Sequence, residues 1–192
     1  MSGGLFVRRA FAGAVALALA LALGIVAVAS AHHSDLVDPN DTEGPLDVHE
    51  VKLGHVGGTE FTIVTFARWK ARGIWDHGAF FVLLDTLGDE RADYFVLARS
   101  TGSGMEASLW RDRKRGRDVF VRRVSSRRKS PQSVSVTVPV RSLDFGSARD
   151  SYFWWTSSTF TGEKCRRTCI DRAPDEGSIE QWRPGMSPAP AA

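Results

Sequence analysis

Gln132–Val140 reads QSVSVTVPV, and its interpretation decides the fold. Val134, Val136 and Val138 alternate with Ser133, Ser135 and Thr137, the period-two pattern of a strand with one dry face and one wet face. Similar β-branched and aromatic runs recur on either side. Ala79–Asp85 (AFFVLLD) is apolar on both faces, as expected of a central strand. Ser151–Ser157 (SYFWWTS) sets Phe153 and Trp155 on one side and Tyr152 and Trp154 on the other. Gly, Asp, Ser and Pro clusters separate the runs, and beyond residue 31 no apolar 3.6 period is sustained. The pattern predicts strands over 48–56, 60–68, 79–85, 92–98, 105–110, 119–124, 133–138 and 151–156. Eight short strands at this spacing predict an all-β, two-sheet antiparallel sandwich of jelly-roll or immunoglobulin-like order.

The N-terminal segment has a different composition. Arg8 and Arg9 precede an apolar run from about Ala10 to Val28 and then Ala29-Ser30-Ala31, the three-part layout of a secretory signal peptide. Residues 1–31 are therefore expected to be removed, giving a secreted protein whose β-sandwich spans 32–177 and ends in a flexible Pro/Ala-rich tail, 178–192. Left uncleaved, the run is long enough to anchor the chain in a membrane. The segment carries two of the 25 Lys and Arg and none of the 22 Asp and Glu, leaving 23 basic against 22 acidic residues, a net +1. Export also implies an oxidising compartment, so Cys165 and Cys169 in CRRTC are expected to pair. Such a small ring contributes about 2 kcal/mol in the chain-entropy model and pins a local loop. The three-residue spacing fits neither a redox C-x-x-C nor a zinc half-site.

Four segments taken together, Asp38–Asp47 (DPNDTEGPLD), Leu83–Val96 (LLDTLGDERADYFV), Val134–Pro139 (VSVTVP) and Cys165–Gly177 (CRRTCIDRAPDEG), resemble secreted bacterial β-sandwich proteins of the DOMON-like or carbohydrate-binding-module-like jelly-roll type. The resemblance covers about Asp38 to Gly177. It implies a structural calcium ion at the acidic N-terminal loop, and says little about activity because such folds host unrelated ligands.

The residues of that loop support the same expectation. Calcium takes six to eight oxygens, and Asp38, Asn40, Asp41 and Asp47 offer four side chains within ten positions, with Gly44-Pro45 allowing the chain to fold back. The loop is no EF-hand, since its glycine falls one place late and no Glu ends it. The competing reading is a solvated turn. Asp85, ending a very apolar strand, is a further candidate ligand or an arginine partner, and Asp171 and Asp175 carry the same two readings.

Two other features point to binding. Arg111–Lys129 holds ten Lys or Arg against two Asp, so Arg113, Lys114, Arg115, Arg122, Arg123, Arg127 and Arg128 are candidates for docking a polysaccharide or cell-envelope polyanion, or else a solvated edge hairpin. Trp69, Trp75, Trp154 and Trp155 are candidate sugar platforms, against the alternative that they fill the core. Nucleic acid is disfavoured by export and by the lack of a recognised motif. Catalysis is disfavoured too: there is no G-x-S-x-G, H-E-x-x-H or Gly-rich phosphate loop. The sequence reads as a non-catalytic binding or interaction module. Its competitors are an accessory or inhibitory partner of a secreted enzyme, and a copper or oxidative enzyme in which a mature N-terminal His32 chelates metal with His55 or His77.

Overall fold

The computed structural model describes residues 35–55, 57–146, 150–162 and 164–183. The described residues all fall within one compact unit, which holds every described core residue. The expected signal segment, His32 and the last nine residues lie outside the described residues.

The described chain is all-β, and strands form at all eight expected places. They are β2 (Val48–Gly54), β3 (Thr59–Thr65), β4 (Gly78–Asp85), β5 (Tyr94–Ser100), β6 (Met105–Arg111), β7 (Val119–Ser130), β8 (Ser133–Val138) and β9 (Ser151–Gly162). Three more were not foreseen: β1 (Leu36–Val37), β10 (Cys165–Ala173) and β11 (Ile179–Trp182). β10 is hidden in sequence because only Cys165, Asp171 and Ala173 of CRRTCIDRA are buried, with arginines between them. β11 pairs with Ser151–Trp154 of β9, so the ordered fold runs past Gly177 and the expected tail boundary falls too early.

The strands follow one antiparallel path, β1-β2-β3-β8-β7-β6-β5-β4-β9-β10, with β11 following β10 along the outer edge of β9. The joint is β7. Its first half pairs with β6 and its second half with β8, with register shifts in both ladders, so one long strand serves both halves of the sheet. The sheet folds over and nearly closes into a barrel, with β2, β3 and β8 packed across the interior from β9, β10, β5 and β6.

The alternation seen in sequence fills that interior. Val134, Val136 and Val138 of β8 are buried, as are Phe61 and Ile63 of β3 and Phe80, Val82 and Leu84 of β4. Trp154 of β9 is fully buried and meets Phe61 edge to face at 5.3 Å. Tyr152 crosses the same space and donates its hydroxyl to Thr59 Oγ1 at 3.0 Å; burial pushes that phenol up to about 12. β4 is central as expected, between β5 and β9. Its second face, carrying Phe81 and Leu83, is half-buried rather than covered.

Candidate metal centre

The sheet order begins at β1 and ends at β10, and β10 lies against β2, the strand next to β1, with no backbone ladder between them among the described residues. At this seam the acidic residues gather. Asp38 follows β1, with its amide donating to the His49 carbonyl at 2.9 Å, which turns its side chain inward. Asp47 precedes β2, and its carbonyl accepts the Phe66 amide at 3.0 Å. Asp171 lies on the inner face of β10 and reaches across the seam: Oδ2 accepts the Val48 amide at 2.6 Å, while Oδ1 accepts the Arg172 amide at 2.8 Å and the Thr42 hydroxyl at 3.3 Å. A carboxylate thus makes the bond that a neighbouring strand would otherwise make.

One carboxylate oxygen from each of Asp41, Asp47 and Asp171 lies within 4.8 Å of the others, and the same holds for Asp38, Asp41 and Asp175. Asp41 is common to both groups. Asp38, Asp47 and Asp171 are each at most 3% exposed. Asp38 Oδ2 and Asp47 Oδ1 are buried with no hydrogen-bond partner, a costly condition for a carboxylate.

That cost appears in the protonation equilibria. The Asp38 carboxyl is pushed up to about 7, first by burial and then by the charges of Asp171, Asp175, Asp41 and Asp47. Asp47 is pushed up to about 6 by burial and by Asp171, against the opposing pull of the Thr42 amide. Asp171 is raised by burial, although its amide donors work in the other direction. Lys164 lines the groove beside Asp41 and Asp47, but none of the five carboxylates has a cationic partner within salt-bridge distance among the described residues. A divalent cation fits this donor set: carboxylate oxygens from separate segments, two of them without a partner, beside a groove that Asp41 and Asp47 line.

The loop's shape depends on the disulfide. Cys165 and Cys169 are joined, with Cα atoms 5.5 Å apart. Cys165 Sγ lies 3.0 Å from the Glu43 carbonyl oxygen. Gly44, at φ +109°, sits against that sulfur and Phe160, where an added Cβ would lie 2.9 Å from Sγ. The cystine is therefore the floor on which the acidic loop turns.

The other sequence candidates disperse. Asn40 is exposed on the groove rim. Asp85 belongs to a different structure: Oδ1 accepts the amides of Leu87, Gly88 and Asp89, and Oδ2 accepts that of Glu90 at 2.9 Å. Four N–H dipoles already satisfy this carboxylate, which makes it a loop anchor and corrects its expected place among metal ligands. Asp171 and Asp175, which the spacing left undecided, join Asp38, Asp41 and Asp47.

Trp154 is interior, and so is Trp69, which packs on Phe80 at 5.5 Å under the Arg128 guanidinium at 4.4 Å. Neither can stack a sugar. Trp75 is 54% exposed, and Trp155 is half-buried beneath Arg172 on the outer face of β9. The basic candidates form no single patch. Arg128 is held by the Trp69 and Pro131 carbonyls, Lys114 pairs with Asp89, and Arg122 reaches Ser142. Arg127 lies beside Glu60 on the other half of the sheet, the Arg113 amide donates to Asp118, and Arg115 stays exposed in the β6–β7 turn. Of the histidines weighed for copper, His32 lies outside the described residues. His77 packs 6.4 Å from Phe160, His55 follows β2 on the surface, and neither falls in a metal-competent group among the described residues.

Fold and site together define the class: a disulfide-containing all-β protein whose sheet seam is lined with buried carboxylates. Comparison of the chain with protein-family models, with curated proteins and with solved structures finds no match.

Proposed function

We propose that this chain is a secreted, non-catalytic binding module whose nearly closed sheet is completed by a calcium ion. The two halves on either side of the β7 bend take the part of the two sheets of a jelly-roll-like sandwich. The observation that carries the reading is the pair of partnerless, buried oxygens, Asp38 Oδ2 and Asp47 Oδ1, among five carboxylates where β10 lies against β2. An ion there joins β1, β2 and β10 and relieves the repulsion that the apo site carries. Calcium suits it better than magnesium, because ligands from three separate segments fit a large, irregular oxygen shell more readily than a strict octahedron. In this reading the ion's role is structural, because its ligands come from both sides of the seam that Asp171 spans.

Thermal unfolding after EDTA treatment, repeated with calcium, magnesium and copper, tests this. Calcium at 100 times its dissociation constant adds about 2.7 kcal/mol, a rise in Tm of roughly 5–10 °C for a unit of this size. The reading fails if calcium gives no shift, or if the shift survives Asp171→Asn combined with Asp47→Asn.

A further inference from the structure

Each of the two carboxylate trios at the seam contains its own buried oxygen without a partner. Asp38 Oδ2 is in the trio of Asp38, Asp41 and Asp175, and Asp47 Oδ1 is in that of Asp41, Asp47 and Asp171. Asp38 and Asp47 are each only 3% exposed. Asp41 alone belongs to both trios, and neither Asp38 nor Asp175 groups with Asp47 and Asp171. Calcium holds its oxygens at roughly 2.4 Å, so two oxygens on one ion lie at most about 5 Å apart. An ion seated among Asp41, Asp47 and Asp171 therefore leaves Asp38 a buried carboxylate with an unpaired oxygen, a costly state.

We propose, resting on the reading of this seam as a calcium site, that it holds two ions, one in each trio, with the Asp41 carboxylate bridging them. Asp41 has two carboxylate oxygens and can give one to each ion, an arrangement that sets paired cations about 4 Å apart. Charge supports the count. When ionised the five carboxylates carry −5, and none has a cationic partner within salt-bridge distance among the described residues. Lys164 and Glu43, which line the adjoining groove, offset each other. One divalent ion leaves the five at −3, and two leave them at −1. Both ions do the same work in the fold. Asp38 follows β1 and Asp175 follows β10, while Asp47 precedes β2 and Asp171 lies on β10, so each trio takes ligands from both sides of the seam. The trios differ in exposure. Asp47 and Asp171 are buried, and Asp171 is already fixed by the Val48 and Arg172 amides at 2.6 and 2.8 Å, whereas Asp41 and Asp175 are exposed. Exposed side chains give up rotamer freedom when an ion orders them, so the inner trio fills first and the outer one at higher calcium.

Equilibrium dialysis against radiolabelled calcium at near-physiological ionic strength counts the ions. Two equivalents per chain are expected, taken up in two steps. Asp175→Asn, a change at an exposed side chain, should lower the count to one and leave the remaining affinity within about threefold, because the charge it removes is screened by water. Asp47→Asn should also lower the count to one, with the outer ion staying. Asp41→Asn should weaken both ions about tenfold or more, since each loses a charged ligand. Four results would overturn the proposal: a single equivalent in the parent, two equivalents persisting in either Asp175→Asn or Asp47→Asn, loss of both ions in Asp175→Asn, or an Asp41→Asn effect on one ion only. A single equivalent that is lost in Asp47→Asn sinks only the second ion. No bound calcium at all sinks the structural-ion reading and the second ion together.

Discussion

Replacing Asp38 by Asn removes one charge from the acidic centre while keeping shape, and it should move stability in opposite directions with and without calcium. In the apo protein the Asp38 carboxyl is raised from 3.8 to about 7 by burial and by Asp171, Asp175, Asp41 and Asp47, with His49 the nearby titratable base acting on Asp47. A raised carboxyl in the folded state binds its proton more tightly than in the unfolded chain. Stability is therefore full below about pH 4 and is lost progressively as pH rises toward 7. Taken whole, the shift corresponds to roughly 4 kcal/mol; Asp41 and Asp175, two of the charges that raise it, are exposed and screened by water, and about 2 kcal/mol is the expected net cost at pH 7.5. Asp38→Asn removes that cost. In EDTA at pH 7.5 the variant should melt roughly 4–8 °C above the parent, and its stability should vary less between pH 4 and 7. In excess calcium the order should reverse, because the parent gains the ion and the variant has lost a ligand. Differential scanning calorimetry at pH 4.5 and 7.5, with EDTA and with calcium, reads all four corners. An Asp38→Asn protein less stable than the parent in EDTA at pH 7.5, or one with an unchanged calcium shift, would refute the reasoning.

Asp85→Ala should lower Tm by roughly 6–12 °C, from about 3 kcal/mol of lost charge-assisted bonds to four amides, yet leave the calcium shift intact; a diminished calcium shift would return Asp85 to the metal site. Gly44→Ala meets both a left-handed φ and the Cys165 sulfur, so it should cost about 2 kcal/mol or more and weaken calcium binding, read by the calcium dependence of its melting curve. Trp154→Ala should cost about 3–5 kcal/mol in urea unfolding, since it empties the centre of the core.

Alternation in β8 and the apolar runs of β4 and β9 were legible without any structure, because period-two burial is imposed locally by the pleat. The acidic turn Asp38–Asp47 was legible for the same reason: its crowding is a matter of a few consecutive residues. Other features were beyond any local pattern. β10 (CRRTCIDRA) buries only Cys165, Asp171 and Ala173 and shows no apolar alternation, so its strand character comes from pairing with β9. Trp154 and Trp155 are equivalent in sequence, and only the direction in which β9 faces β3 buries one and leaves the other under Arg172. Asp85 looks like a ligand until four amides of its own turn are seen to hold it. The sequence by itself determined an all-β chain with a crowded acidic loop and a paired cysteine ring, all consequences of near-neighbour chemistry. Only the tertiary structure decided that Asp171, 123 residues from its partner Val48, would complete that acidic centre, because the site lies on a seam made where β10 lies against β2.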